Sequence, residues 1–240
     1  MASSRNPAGT PISAMEQLVF ELAPPEPPSF ANFVVGRNAE PLNALTRMAA
    51  GGVAETGLFL WGGPGAGKTH LLRAAVGAVL ARGRSATFVA DPGALVACDP
   101  EALATQALVA IDAIDSASTD AQARAFTLFN GLRANRGNLI AASSMPPAAL
   151  TLREDLRSRL GWGLVYELVA LTDADKPAAL AAYARQRGFH LGEDVIGYLL
   201  AHGRRDLPWL LATLAALDRH TLSIKRPLTV PVLRGWLQHQ

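Results

Sequence analysis

Eight consecutive residues have the types and the spacing that bind phosphate groups. Residues 62–69 read Gly-Gly-Pro-Gly-Ala-Gly-Lys-Thr and match the pattern G-x-x-x-x-G-K-T at every fixed position. The glycines leave no Cβ in the way of backbone N–H groups that turn toward an anion. The ammonium of Lys68 can then reach terminal phosphates, and the hydroxyl of Thr69 can coordinate Mg²⁺. We therefore predict a nucleotide phosphate cradle with contacts from Gly62, Gly63, Gly65, Ala66, Gly67, Lys68, Thr69 and His70.

A carboxylate that can complete the metal site follows later in the chain. Asp112 comes directly after the apolar run at 108–111, so it is predicted at the carboxyl end of a buried strand, where ligands bind in open α/β sheets. We expect Thr69 and Asp112 to hold Mg²⁺ together. The next residue is Ala113, where hydrolysing ATPases of this type commonly carry a second acid, and Asp115 is the nearest acid beyond it. General-base help contributes roughly 10²–10⁴-fold in rate, so we expect nucleotide binding without appreciable hydrolysis by the isolated chain.

Apolar runs alternate with helical patterns around the cradle. Strands are predicted at 58–61, 86–90, 108–111, 139–142 and 164–168, and helices at 39–50, 69–82, 120–136 and 152–160. Near-continuous apolar strands separated by helices are typical of a parallel sheet covered on both faces. Asn38 is predicted to cap the first helix with its side chain. The fold class predicted is α/β, with a parallel five-stranded sheet between helices.

Strand signals stop after about residue 170, and four helices follow. They are predicted to begin at Thr172, with Asp175 as its capping partner, and near Glu193, Asp206 and Thr229. The chain is therefore divided into a tail at 1–28, an α/β nucleotide-binding unit at 29–170 and a small all-helical unit at 171–240.

Composition sets few limits on function. The chain has 22 Lys and Arg against 20 Asp and Glu, and a net charge of +2 neither demands nor excludes a nucleic-acid partner. The single cysteine, Cys98, excludes an internal disulfide framework and is interpreted as a small apolar residue. No apolar run approaches the roughly 20 residues of a membrane helix, and the N-terminus lacks the pattern of a signal peptide. We expect a soluble cytoplasmic protein without a membrane partner.

The tail contains one patterned segment at residues 17–22, Gln-Leu-Val-Phe-Glu-Leu. In an extended conformation Leu18, Phe20 and Leu22 lie on one face, and Gln17 precedes them. The segment is either a short strand that packs on the core of its own chain or a peptide that docks in a groove of another protein.

Three segments resemble the AAA+ domain of DnaA, the bacterial replication initiator. They are residues 29–36, residues 60–70 with the cradle, and residues 158–163, Ser-Arg-Leu-Gly-Trp-Gly, which resemble its arginine-finger box. The helical unit resembles the lid of DnaA, and no helix-turn-helix domain is expected after it. Residues 17–22 resemble the Q-L-x-L-x-L peptide that binds the β sliding clamp. The combination resembles the Hda-type regulatory inactivators within the DnaA-like AAA+ family.

The resemblance implies a mechanism. Hda-type proteins bind ADP, sit on the DNA-loaded β clamp through the peptide, and present an Arg to ATP held by DnaA, whose hydrolysis prevents re-initiation of replication. Arg159 matches that residue, and a trans-acting arginine adds roughly 10³–10⁵-fold in rate. By its residue type alone, Arg159 fits a surface salt bridge better, and the resemblance of residues 158–163 to the arginine-finger box reverses that preference. Trp162 is interpreted as a packing residue. DNA contact would be indirect through the clamp, and assembly into a homodimer is compatible with the family.

The resemblance also places Val35 and Ser144 at the nucleotide, with Ser143 or Ser144 in the position of sensor 1. The sensor-2 arginine is replaced by Pro208, although Arg204 and Arg205 precede it. Two other functions remain open: a loader-type ATPase that remodels replication complexes on DNA, and an adaptor that bridges clamp and DnaA without nucleotide. An ADP-binding regulator that is not itself a robust ATPase is the reading we favour.

Overall fold

The computed structural model describes residues 27–204, 206–224 and 227–238. Five parallel strands form one sheet, and they are β1 Gly57–Trp61, β2 Ala86–Val89, β3 Leu108–Ile111, β4 Asn138–Ser143 and β5 Leu164–Glu167. Their order across the sheet is β2-β3-β4-β1-β5. The predicted five-stranded parallel sheet is confirmed, because apolar runs bounded by turn residues mark strands that are buried on both faces. The segment at 17–22 lies outside the described residues.

Six helices accompany the sheet, and they are α1 Ala39–Ala49, α2 Lys68–Leu80, α3 Ala94–Ala97, α4 Pro100–Ala104, α5 Thr119–Ala134 and α6 Glu154–Gly161. One face of the sheet packs with α1 and α2 around Leu45, Leu60 and Leu71. The other face packs with α5 and α6 around Phe59 and Leu128. The sequence analysis missed the short helices α3 and α4, which are too brief for a helical periodicity to develop.

Four helices form the C-terminal lid, and they are α7 Lys176–Gln186, α8 Glu193–His202, α9 Leu207–Ile224 and α10 Val230–Gln238. They enclose a separate core that includes the fully buried Leu180, Leu199 and Leu214. The predicted capping pair precedes α7, since Thr172 Oγ1 donates to Asp175 Oδ2 at 2.6 Å and the amide of Asp175 donates back at 3.3 Å. The predicted helical lid is therefore confirmed.

Asn38 differs from the prediction. It precedes α1, but its side chain makes no capping bond to that helix. Instead its amide Nδ2 donates to the carbonyl of Val169 at 2.9 Å, and its Oδ1 accepts from the amide of Val169 at 2.9 Å. The side chain is buried, with 2% exposure. Asn38 thus ties the start of α1 to the segment that leads from β5 to the lid.

No helix in the parts of the chain that the structure describes combines the length and the apolar character needed to cross a membrane.

Candidate nucleotide-binding site and remote arginine

The glycine-rich loop follows β1 at the carboxyl edge of the sheet. A Cβ on Gly62 would lie 2.3 Å from the carbonyl oxygen of Leu168, so only glycine fits where the loop leaves the strand. Gly65 and Gly67 have φ of +74° and +94°, which L side chains rarely adopt. A Cβ on Gly63 or Gly65 would meet nothing within 4 Å, so this part of the loop faces open space. The loop therefore has the shape of an anion cradle.

Lys68 is the first residue of α2, and its amide and those that follow begin a helix whose N-terminus favours anions. Its Nζ donates to the carbonyl oxygens of Gly62 at 2.6 Å and Gly63 at 3.0 Å. The ammonium therefore lies over the loop, where it would meet a bound phosphate.

Thr69 and Asp112 come together beside the cradle. The Thr69 hydroxyl donates to Asp112 Oδ2 at 2.5 Å, and the other carboxylate oxygen accepts from the amide of Ala113 at 2.9 Å. Hydroxyl and carboxylate oxygens are the ligands that Mg²⁺ accepts, usually with waters and substrate phosphates completing its shell. Among the described residues no group of three His, Cys, Asp or Glu side chains could hold a metal by itself. The pair fits Mg²⁺ bound jointly with a nucleotide.

The carboxylate of Asp115 accepts hydrogen bonds from Ser144. Both the hydroxyl and the amide of Ser144 donate to Asp115 Oδ2, the amide at 3.1 Å. Partial burial raises the pKa of Asp115, but the hydrogen bonds from Ser144 outweigh it and leave the pKa below 3.8. A carboxylate held in its ionised form by two donors is a poor general base. The bonds from Ser144 therefore give no support for Asp115 as a substitute for the acid that is absent at Ala113.

A cavity of about 520 Å³ lies between residues 32–37 and helix α7. Val35 lines it from one side, and Ala178 and Tyr183 line it from the other. It adjoins the cradle through Phe33, because a Cβ on Gly67 would touch the ring of Phe33 at 2.7 Å. A cleft of this size and lining suits a nucleoside whose phosphates occupy the loop.

His70 positions the wall of this cavity. Its Nε2 bonds to the carbonyl oxygen of Ser29 at 2.9 Å, and its ring centroid lies 5.5 Å from that of Phe33. Burial lowers the pKa of His70 below 6.5, although the bond to Ser29 opposes the shift. The neutral imidazole therefore holds residues 29–33 against the start of α2.

Pro208 stands in the first turn of α9. The sequence analysis expected the sensor-2 position here. Arg204, the nearest described cation before it, pairs with Asp206 at 3.2 Å on the surface. Arg205 lies outside the described residues. Among the described residues that precede α9, Arg204 is therefore engaged with Asp206.

Arg159 lies at the opposite end of the sheet from the cradle. It occupies the last turn of α6, and the chain then enters β5, whose first residue Leu164 pairs with Leu58 near the start of β1. The cradle follows the other end of β1, which spans roughly 13 Å at about 3.3 Å per residue. The surface salt bridge considered for Arg159 is not formed with any described carboxylate.

Trp162 packs on Arg159 instead of the core. The Arg159 Cζ lies 4.1 Å from the centroid of the Trp162 ring, and the ring side chain is 63% exposed. A shallow groove of about 500 Å³ runs beside it, with apolar walls from Pro146, Trp162 and Val165. Exposed apolar surface of this kind marks contact sites for other proteins.

The structure thus brings most predicted nucleotide residues to one edge and separates Arg159 from them. The cradle residues, Asp112 and Ser144 follow β1, β3 and β4, and Val35 lines the adjoining cavity. Phe33 and Asn38 were missed as parts of this site. Phe33 belongs to a segment without periodicity, and the partner of Asn38 is 131 residues away.

Comparisons with known proteins agree with this architecture. Residues 173–237 match the family model described as "Hda, lid domain". The fold is similar to domain III of the replication initiation protein DnaA from Thermotoga maritima, with a TM-score of 0.68 and 20% identity over 85% of this chain and 93% of that one. AMPPCP-bound DnaA from Aquifex aeolicus gives 0.67 and 21%, over 82% of this chain and 66% of that one. The RuvB Holliday junction branch migration motor of Thermotoga maritima gives 0.57 and 16%, over 88% and 72%.

The parallel sheet, the cradle after β1 and the helical lid define an AAA+ P-loop protein. The lid match adds to this: residues 173–237 are similar to the Hda lid domain, and the chain shares the fold of DnaA domain III.

Proposed function

We propose that the chain is an ADP-holding regulator that promotes hydrolysis of ATP bound to DnaA and so prevents re-initiation of replication. The observation that carries the proposal is the position of Arg159. Its side chain is partly buried against Trp162 and Phe126, near the end of the sheet remote from its own cradle, so we infer that it does not serve its own nucleotide. A cation placed there is available to a nucleotide held by another molecule.

The cradle of this chain suits the binding of a diphosphate better than the hydrolysis of a triphosphate. Lys68 and the loop glycines supply the anion site, and Thr69 and Asp112 supply two oxygen ligands for Mg²⁺. When bound, Mg²⁺ would neutralise phosphate charge there. The groups that would read or cleave a third phosphate are weak, because Asp115 is engaged by Ser144. ADP with Mg²⁺ is therefore the proposed ligand, and the nucleotide stabilises the junction between the sheet and the lid.

The surroundings of Arg159 favour a protein partner. The groove beside it exposes Trp162 and Val165, and its rim carries Glu154 and Arg157. An apolar centre with charged residues around it is the usual composition of a specific interface. This surface is the proposed contact with the ATP-bearing face of DnaA.

The β sliding clamp is the second proposed partner. Residues 17–22 carry Leu18, Phe20 and Leu22 at alternating positions after Gln17, which suits a peptide that docks in apolar pockets of another protein. DNA would be reached through the clamp, and the location would be cytoplasmic. A pulldown on immobilised clamp tests this part: Gln17→Ala/Leu18→Ala should lose retention, and retention equal to the unaltered chain would contradict it.

The main test measures ATP hydrolysis by DnaA, with DNA-loaded clamp, as the concentration of this chain is increased. Arg159→Ala should lower the stimulated rate at saturation by roughly 10³-fold or to the unstimulated level. Arg47→Ala is the matched control, because Arg47 is an exposed arginine on α1 at the other face of the sheet. ADP affinity and clamp retention should be unchanged in both variants. Full stimulation by Arg159→Ala would rule out the proposed role of Arg159.

A further inference from the structure

The last turn of α6 holds an arginine and an indole ring on one face. Trp162 is three residues after Arg159 and keeps helical backbone angles, φ −80° and ψ −18°, so the two side chains are neighbours. The Cζ of Arg159 lies 4.1 Å from the centroid of the Trp162 ring. Phe126 of α5 offers a second ring at 5.9 Å. Both distances are within the roughly 6 Å range in which a cation is attracted to a ring face.

The backbone around Trp162 is fixed. Its amide donates to the carbonyl of Arg159 at 3.3 Å. The next residue, Gly163, packs so closely on β1 that a Cβ there would lie 2.0 Å from the carbonyl oxygen of Gly57. The chain direction after α6 therefore has little freedom, which fixes the point at which the indole leaves the backbone.

The ring is not needed by the core. Trp162 is 63% exposed, whereas Leu160, two residues earlier, is buried in the core between α5, α6 and the sheet. Packing in the core therefore does not account for the position of the indole against the guanidinium of Arg159. Stacking on the guanidinium face leaves the N–H donors at its edge available for an anion, because those donors lie in the plane of the group.

We propose that Trp162 is a positioning residue for Arg159: its indole face holds the guanidinium in the conformation that meets the phosphate of the partner's nucleotide. This inference rests on the proposed function, because it concerns the same arginine. A long arginine side chain loses conformational freedom when it is ordered. A ring that restricts it beforehand removes part of that cost from the transition state and so raises kcat.

The test compares Trp162→Phe with Trp162→Leu in the DnaA hydrolysis assay. Phenylalanine keeps an aromatic face, whereas leucine keeps apolar bulk without one. Trp162→Leu should lower kcat by roughly three- to thirtyfold. The concentration of chain that gives half-maximal stimulation should stay within twofold, because leucine keeps an apolar side chain in the groove that contacts DnaA. Trp162→Phe should retain most of the stimulation. Leu80→Ala, which removes an exposed apolar side chain from α2, serves as the control and should change neither quantity.

A partner-free measurement accompanies the kinetics. The δ-methylene protons of Arg159 should show an upfield ring-current shift in NMR spectra of the ADP-bound full chain. The shift should be lost in Trp162→Leu and largely kept in Trp162→Phe.

Three kinetic results would overturn the inference: unchanged kcat in Trp162→Leu, equal losses in both variants, or a raised half-maximal concentration with unchanged kcat, which would make Trp162 a docking contact without a positioning role. If Arg159→Ala keeps full stimulation in the same series, the proposed function itself fails, whatever the NMR spectra show.

Discussion

The hydrogen bonds between the buried side chain of Asn38 and the backbone of Val169 give the sharpest prediction of stability. Asn38→Ala removes two hydrogen bonds of 2.9 Å that join the start of α1 to the segment between β5 and the lid. Each such bond contributes about 1 kcal/mol net, and an unsatisfied buried group costs about 1–3 kcal/mol. Val169 is 37% exposed, so water can satisfy part of its backbone. We expect a loss of about 1–3 kcal/mol in the free energy of unfolding.

Urea denaturation followed by circular dichroism measures this loss directly. Asn43→Ala is the control, because Asn43 is an exposed residue of α1 and alanine suits that position. Asn43→Ala should change the free energy of unfolding by less than about 0.5 kcal/mol. Equal values for the two variants would refute the structural role of Asn38.

The same change should weaken nucleotide binding selectively. Residues 32–37 line the nucleoside cavity and end next to Asn38, while the phosphate loop is held by β1 and α2. ADP affinity of Asn38→Ala, measured by calorimetry, should fall more than the affinity for magnesium pyrophosphate. A parallel loss of both would place the damage in the loop instead of the cavity.

Three further predictions concern the cradle, the acid beside it and the turn after α6. Lys68→Ala should abolish detectable ADP binding by calorimetry while leaving the melting curve cooperative, and binding within twofold of the original would contradict the cradle assignment. Hydrogen bonds from Ser144 keep the pKa of Asp115 below 3.8, so the stability that these bonds contribute is present above pH 3.8 and is lost as the pH falls through the lower pKa of the folded chain. The difference in the free energy of unfolding between the original chain and Ser144→Ala should therefore shrink from pH 5 to about pH 3. A difference that stays constant over this range would refute the role of these bonds. Gly163→Ala should lower the free energy of unfolding by about 1–3 kcal/mol, because the added Cβ meets the backbone of β1. Gly77→Ala in α2 is the control, because a Cβ there meets open space and should be neutral or stabilising. Equal melting temperatures for the two variants would count against the tight turn after α6.

The sheet and the cradle were predictable because their signals are local. Strand β3 was placed at 108–111 as observed, since four apolar residues ending at an acid carry the pattern by themselves. The cradle motif specifies loop, lysine and helix start within eight residues. The helices of the lid were found from their caps, among them the reciprocal bonds of Thr172 and Asp175.

Contacts across the fold were not predictable from the sequence. Asn38 has the residue type of a helix cap, and only the approach of Val169, 131 residues later, explains its other use. Trp162 was interpreted as a packing residue because indoles usually are, yet it lies exposed on Arg159. Phe33 reaches the cradle from a segment with no periodic pattern. For Asn38 and Phe33 the decisive partner comes from another element of the chain, whereas the partner of Trp162 is only three residues away.

The most direct test of the central claim asks which molecule's nucleotide is hydrolysed. DnaA is loaded with γ-labelled ATP and this chain with unlabelled ADP, and release of labelled phosphate is followed after mixing on DNA-loaded clamp. In the reciprocal experiment, the chain carries the labelled ATP and DnaA carries ADP. The position of Arg159 and the bonding of Asp115 to Ser144 predict rapid phosphate release in the first mixture and little in the second. Rapid release in the second mixture, with none in the first, would contradict the account.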